Sequence, residues 1–292
     1  MRDGALEKEI RRKIGPRQKK SHKGDFGRIL ILAGARGFAG AAHLAGMGAV
    51  RSGAGLVTVG VPESIYTIVA RREAEVMVRP LPSTVQGTLA GAALKPVLAL
   101  IKGCGVMAMG PGLSQQDATQ RLIRSLVHKV TCPLILDADA LNAFEGKVFL
   151  LSQALCPRIL TPHTGEFVRL FGGSAPRTER ERCQRALEAA KKSNSIVVLK
   201  GHRTVVAEPG GRIWCNPTGN PGMATGGTGD VLTGVMASMC GRGLPLLDAA
   251  RFAVYFHGLA GDLAARRKGE TGLAASDLIE ELPESFRRVL GR

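Results

Sequence analysis

Asn220-Pro221-Gly222-Met223-Ala224-Thr225-Gly226-Gly227-Thr228-Gly229-Asp230 sets four glycines and a carboxylate directly ahead of the apolar run Val231 to Cys240. Glycine tolerates positive φ and lets a ligand approach the backbone, so Gly226, Gly227 and Gly229 can present N–H groups to an anion. The apolar run has the composition of a buried helix, whose first amides lack helical partners and whose dipole is positive at that end. The segment Gly226-Gly227-Thr228-Gly229 therefore reads as a phosphate cradle. Asp230 would stand beside the phosphate, placed to take a proton from a hydroxyl as that hydroxyl attacks phosphorus. The plainer alternative is that Asp230 caps a helix. So dense a glycine run costs too much backbone entropy for a mere connector, which favours the functional reading.

Further candidates sit at the ends of apolar runs that read as strands. Gly110-Pro111-Gly112 follows Val106 to Met109, either as an ordinary turn or at a ligand rim. Thr161-Pro162-His163-Thr164-Gly165-Glu166 sets a histidine and a carboxylate three residues apart at the end of another run. Glu166 could orient water on a magnesium ion bridging phosphates, since Mg²⁺ favours few carboxylates and many waters. Lys200-Gly201-His202-Arg203-Thr204 is either a plain hairpin loop or a wall for adenine and ribose. Asp137 can face the site, and Asp139 can cap the helix through Leu141. A P-loop is absent, and Gly34, Gly37 and Gly40 have the wrong spacing for a dinucleotide fingerprint.

The elements that must position these groups follow a regular pattern. Strands are expected at 28–33, 55–61, 76–79, 106–109, 133–136 and 158–160. Helices are expected between them near 40–52, 64–72, 87–102, 118–128 and 178–193, the last with Thr178 and Glu181 at capping-box spacing. Such alternation predicts a mostly parallel sheet with helices on both faces, and ligands then lie beyond the carboxyl ends of the strands. The runs 196–199, 204–207 and 212–215 are too close for helical crossovers and predict an antiparallel meander at one edge. Two more helices, from Asp230 and over 247–267, complete the expected fold. No compositional break marks a linker, so one α/β domain over 1–292 is expected, with 1–24 a basic lead-in containing a short helix.

With 292 residues and 45% hydrophobic content the chain can bury a large core. A net charge of +16 raises the question of nucleic acid, but the basic residues are dispersed, most beside acids. Two Tyr and one Trp offer few stacking platforms, so no nucleic-acid partner is expected. The surplus charge suits solubility and attraction for phosphorylated ligands. Six cysteines without a C-x-x-C pair read as reduced core residues of a cytoplasmic protein. The N-terminus lacks an apolar signal region, and His43 and Arg51 interrupt the Ala/Gly-rich stretch 37–57, so no membrane partner is expected.

Eight motifs in order carry a resemblance. They are Ser21-His22-Lys23-Gly24-x-x-Gly27, Gly37-x-x-Gly40-Ala41-Ala42, Arg51-Ser52-Gly53-Ala54-Gly55-Leu56-Val57, Gly110-Pro111-Gly112-Leu113, Asp137-Ala138-Asp139-Ala140-Leu141-Asn142, Thr161-Pro162-His163-x-Gly165-Glu166, Lys200-Gly201-x-x-Thr204, and Asn216-Pro217-Thr218-Gly219-Asn220 through Gly227-Thr228-Gly229-Asp230. Together they resemble the ADP-dependent NAD(P)H-hydrate dehydratases, a branch of the ribokinase-like fold. The resemblance runs from about Ser21 to the C-terminus, without the epimerase domain that precedes the dehydratase in many relatives, and implies a stand-alone dehydratase. It implies repair of the 6-hydroxy hydrates of NADH and NADPH (NADHX, NADPHX) by phosphorylation of the C6 hydroxyl and elimination of phosphate, at the expense of ADP or ATP.

By position, the resemblance puts the Gly229 amide on the nucleotide phosphate and Asp230 on the hydroxyl. It puts Ala41, Gly112 and His163 on the hydrate, and Lys200, Gly201, His202, Arg203 and Thr204 around the adenosine. In kinases of this fold the position of His163 is often Asn in an N-x-x-E motif, so the magnesium role of Glu166 is carried over by analogy. The resemblance also implies a homo-oligomer, a tetramer in many relatives, and work alongside a separate NAD(P)HX epimerase. The alternatives are a ribokinase-like kinase of a small molecule such as a vitamin precursor, and a non-catalytic nucleotide- or nucleic-acid-binding protein.

Overall fold

The computed structural model describes residues 4–72 and 74–291. The first three residues of the basic lead-in therefore lie outside the described residues. In chain order the elements are α1 (Gly4–Ile14), β1 (Arg28–Leu32), α2 (Ala39–Arg51), β2 (Leu56–Pro62), α3 (Tyr66–Ala70), β3 (Met77–Leu81), α4 (Leu94–Leu100), β4 (Val106–Met109) and α5 (Asp117–Lys129). They continue with β5 (Leu134–Leu136), α6 (Asp139–Asn142), α7 (Phe149–Ser152), β6 (Arg158–Leu160), α8 (Thr164–Phe171), α9 (Glu179–Ser193) and β7 (Ile196–Leu199). The last are β8 (Val205–Ala207), β9 (Ile213–Cys215), α10 (Thr228–Gly241), α11 (Leu246–Lys268) and α12 (Ala275–Leu290).

One sheet runs in the order β3-β2-β1-β4-β5-β6-β7-β8-β9. Pairing is parallel from β3 to β7, while β7, β8 and β9 form the antiparallel edge that close spacing predicts. The strand order reverses between β1 and β4. Such a switch point opens a crevice beyond the strand ends, here at Ala33-Gly34 and Gly110-Pro111-Gly112, where the Gly34 amide donates to the Pro111 carbonyl at 2.8 Å.

Both faces of the central strands are buried, and alternation along β1 and β4 divides their side chains between two cores. Ile29, Ile31, Val106 and Ala108 join the core under α2, α10 and α11. Leu30, Leu32, Met107 and Met109 join the core on the opposite face with α5 and α9. The lead-in is docked by polar contacts: the Tyr255 hydroxyl donates to Glu7, Lys13 pairs with Asp248, and Arg251 pairs with Glu9. Among the described residues no helix is long and apolar enough to cross a membrane.

The abundance of Gly and Ala in α2 has a local cause. A Cβ on Gly234 of α10 would lie 2.1 Å from the Ala45 carbonyl oxygen, and one on Gly48 would lie 2.6 Å from that of Val231. Backbone meets backbone, and the two helices run side by side in the same direction with both N-termini at the ligand rim. The small face of α2 is used inside the chain, against α10.

Several elements differ from the sequence expectation. The stretch 87–102 keeps only the seven residues of α4 as α-helix, preceded by one 3-10 turn. Helices α8 and α12 were not expected. The first is capped by a histidine rather than by Ser, Thr, Asp or Asn, and the second carries Pro283 in its interior, a residue that reads as a break. Asp139 is not the N-cap of α6. Its carboxylate accepts the Ser114 amide at 2.7 Å, and Ala138 takes the cap position with φ +46°.

Replacing Gly234 by Ala should destabilise the fold by about 1–3 kcal/mol, because the added carbon meets immovable backbone. Gly40, in the first turn of α2, has nothing within 4 Å of an added Cβ. Gly40→Ala should be neutral or stabilising by roughly 0.5 kcal/mol. Urea unfolding of both variants measures the contrast.

Candidate active site

The glycine-rich segment begins α10 two residues earlier than its sequence suggests. Gly227 is the N-cap, at φ +91°, and a Cβ there would lie 2.4 Å from Leu44 Cδ1. The first helical bond runs from the Val231 amide to the Gly227 carbonyl at 3.1 Å. The amides without helical acceptors are thus those of Thr228, Gly229 and Asp230, rather than those of Gly226 and Gly227. The Thr228 hydroxyl donates back to the Met223 carbonyl at 3.0 Å and closes the turn. Gly226 stands in open space, with nothing within 4 Å of an added Cβ.

Asp230 is the third residue of α10 and is half-buried. Burial pushes its carboxyl up to about 7; the charge of Asp137 adds to this, and Lys200 opposes it. A helix cap would gain nothing from such a shift. A carboxylate poised near neutrality is matched to proton transfer.

Asp137, at the carboxyl end of β5, forms the floor. It is 1% exposed and accepts from Lys200 Nζ at 2.7 Å, from the Thr161 hydroxyl at 2.7 Å and from the Thr233 hydroxyl at 2.9 Å. Gly110 makes room for it: a Cβ at Gly110, whose φ is +138°, would lie 1.7 Å from the Asp137 carbonyl oxygen. The unusual φ of Ala138 turns the chain between the two aspartates, so that Asp137 enters the floor while Asp139 holds the loop at Ser114. Burial alone would lower the Lys200 ammonium, but Asp137 and Glu166 outweigh it and hold the group above the usual lysine value.

His163 and Glu166 form a capping box on α8. His163 Nδ1 accepts from the Gly165 and Glu166 amides at 3.0 and 3.3 Å, and Glu166 Oε2 accepts from the His163 amide at 2.7 Å. Burial, then Lys200, lowers the His163 imidazole. With Nδ1 accepting, the neutral ring carries its proton on Nε2, which is 3.5 Å from Glu166 Oε1. Glu166 is raised by burial against the pull of Lys200, whose Nζ is 3.8 Å away. Its carboxylate is thus already engaged on two sides. No group of three or more His, Cys, Asp or Glu among the described residues is arranged to hold a metal ion. Two carboxylates, Asp137 and Glu166, beside the open amides of α10 match a Mg²⁺ ion that keeps most of its waters and binds chiefly through phosphate.

A cleft of about 990 Å³ opens beside this floor. Lys200, Gly201, His202, Arg203 and Thr204 all line it, together with His163, Thr228 and Gly229. The opposite wall is the segment 216–223, tied to α11 through donation from Asn216 Nδ2 to the Val254 carbonyl and from the Thr218 hydroxyl to the Tyr255 carbonyl. Ala41, Gly112 and Asp230 are not among the lining residues. Ala41 and Gly112 form a second locus at the switch point, where a Cβ on Gly112 would lie 3.0 Å from that of Ala41. Ala41 is partly exposed there, whereas Ala42 is fully buried in the core. Asp137, packed against Gly110, lies between this locus and the cleft.

Sequence reasoning missed Thr161, Thr233 and His257. Thr233 follows Asp230 by three residues in the helix and so shares its face, a signal present in the sequence. His257, by contrast, is a single histidine in an apolar helix and reads as core.

Against known proteins, the family model described as NAD(P)H-hydrate dehydratase matches residues 29–284. The chain belongs to the NAD(P)H-hydrate dehydratase family. It is 43% identical over 279 residues to a bifunctional NAD(P)H-hydrate repair enzyme of Moorella thermoacetica, a match covering 96% of this chain and 53% of that protein. The chain thus spans about half the length of such curated relatives. It is 35% identical to the ADP-dependent (S)-NAD(P)H-hydrate dehydratase of Bacillus subtilis, with 97% of each chain covered. A crystal structure of the ADP/ATP-dependent dehydratase of Bacillus subtilis, co-crystallised with ATP and Mg²⁺, superposes with a TM-score of 0.84 at 34% identity, covering 97% of each chain. A ribokinase-like superfamily protein of Enterococcus faecalis superposes with a TM-score of 0.80 at 27% identity, over 95% of this chain and 92% of that one. The architecture is ribokinase-like.

Because the Asp230 carboxyl holds its proton more tightly folded than unfolded, its contribution to stability is full below the ordinary carboxyl value of 3.8, falls as pH rises above that, and is wholly lost once pH passes about 7. Asp230→Asn should therefore raise the melting temperature at pH 8 more than at pH 5. Equal shifts at the two pH values would contradict the displaced pKa.

Proposed function

We propose that this chain is an ADP-dependent (S)-NAD(P)H-hydrate dehydratase, acting on NADHX and NADPHX as a single ribokinase-like domain. The observation that carries the reading is the half-buried Asp230, raised to about 7 in the first turn of α10, directly after Gly229, which lines the cleft together with Lys200 to Thr204.

The loop Lys200-Gly201-His202-Arg203-Thr204 holds the adenosine moiety, and the start of α10 receives the phosphates on the Gly229 amide, with the open amides of Thr228 and Asp230 on either side of it and the turn Gly226-Gly227 leading into them. Ala41, Gly112 and His163 position the hydrate. Asp230 removes the proton from the C6 hydroxyl as its oxygen attacks the terminal phosphorus of ADP, forming the new O–P bond while AMP departs. Phosphate is a far better leaving group than hydroxide. The ring nitrogen lone pair then expels it from C6, and loss of a C5 proton restores the double bond of the dihydronicotinamide.

Lys200, fixed by Asp137, supplies positive charge beneath the phosphates, and His163 can donate from Nε2 toward the hydrate. Mg²⁺ would be held by phosphate oxygens and, through water, by Glu166 with Asp137 beside it, and would neutralise phosphate charge. We further propose a cytoplasmic homo-oligomer working beside an epimerase that interconverts the hydrate epimers; the bifunctional relatives support the last point.

Incubation with NADHX, ADP and Mg²⁺ should restore the dihydronicotinamide absorbance and release AMP and phosphate. A phosphorylated product that accumulates without reduced nucleotide would instead identify a small-molecule kinase. Asp230→Asn should lower turnover about a hundredfold or more, with binding of ADP little changed. In the unaltered protein the rate should climb as pH rises through about 7, where Asp230 ionises and becomes able to accept the proton.

A further inference from the structure

The peptide unit joining Thr228 to Gly229 is gripped by a residue that the mechanism above does not use. His257, on α11 and 8% exposed, brings Nε2 to 2.9 Å from the Thr228 carbonyl oxygen. A carbonyl can only accept, so Nε2 carries the hydrogen. Burial first, then the charge of Lys200, pushes the imidazole down to about 4, against the opposing effect of the Thr228 bond. The ring is therefore a neutral, fixed donor at ordinary pH.

The Thr228 carbonyl and the Gly229 N–H belong to one planar unit, so fixing the oxygen fixes the direction of the hydrogen. Donation into the carbonyl also polarises the amide and strengthens its N–H as a donor. Gly229 itself has no side chain to shield that N–H, and a Cβ there would lie 3.5 Å from Lys200 Nζ. The ring is held in turn by its helix. Next to it, Gly258 lets the 216–223 segment press onto α11, since a Cβ would lie 2.3 Å from the Thr218 hydroxyl oxygen. Farther along α11, Asp262 accepts from the Gly219 amide and Asn220 Nδ2. One helix thus sets both the cleft wall and the orientation of the first peptide of α10.

We infer that His257 is a positioning residue for phosphate recognition, locking the Thr228–Gly229 peptide so that the Gly229 amide is aimed at the nucleotide phosphate. This rests on the reading that α10 receives phosphate. A histidine that merely satisfies a buried carbonyl would affect every ligand of the cleft alike, whereas a phosphate-positioning histidine affects only ligands that carry phosphate.

Calorimetric titration of AMP and of adenosine against the unaltered protein, His257→Phe and His257→Gln separates the two. The Phe variant fills the volume without a donor and should lose roughly tenfold in AMP affinity with adenosine affinity unchanged. Gln retains an N–H donor and should recover most of the loss. Equal losses for both ligands, no loss for AMP, or failure of Gln to recover more than Phe would overturn the inference. If the Phe variant does not fold, His257→Met takes its place in the same comparison. An unaltered protein that binds adenosine as tightly as AMP would instead sink the phosphate reading itself, and this inference with it.

Discussion

Around the Lys200 ammonium three carboxylates gather, those of Asp137, Glu166 and Asp230, in a site from which much of the water is removed. One positive charge cannot satisfy three negative ones at low dielectric, so the carboxylates must differ in how they are compensated. Asp137 takes the direct contact and two hydroxyl donors besides. Glu166 takes a backbone amide and stands farther from the ammonium. Asp230 is left with the weakest compensation and the proton affinity of a base. The acid–base character of the site is thus a property of the group, set by burial and by how the one lysine is shared.

That distribution requires strand ends to meet within a few ångströms, and the sheet order supplies them. Asp137 follows β5, Thr161 follows β6 and Lys200 follows β7, three neighbouring parallel strands. Parallel strands end on the same side, so residues far apart in sequence arrive at one rim. The switch between β1 and β4 adds Gly110 and Gly112 to that rim, while α10 enters from one face with its unpaired amides. The antiparallel edge contributes differently: its short connection leaves the Lys200–Thr204 loop beside the long segment 216–223, with the cleft between them.

Most of this frame was legible because alternating apolar runs report buried parallel strands directly, and β4, β6 and β7 fall where the sequence puts them. The glycine-rich turn is legible because so dense a run of glycine costs backbone entropy that a plain connector would not need, and Asp230 draws notice by standing directly after it. What escaped has physical reasons. Helix α8 announces itself through a histidine cap, whose geometry matches a Ser or Asp cap but whose residue type does not. The same substitution made His163 and Glu166 look free for chemistry when each is also part of that helix start. Thr161 and His257 are recruited by tertiary proximity alone, to Asp137 and Thr228, and no local pattern encodes a partner so distant in the chain.

The close seam between α2 and α10 makes a different kind of demand on heredity. Where two helices meet through leucines, a mutation trims volume, and the neighbours can relax into part of the gap. At Gly48 and Gly234 the contact is already main chain on main chain, and every alternative residue is larger. Nothing can be compensated by a second substitution across the seam, because the opposing atoms are carbonyl oxygens and amide nitrogens common to all residues. The seam is therefore specified by exclusion, and drift in this sequence must proceed around it.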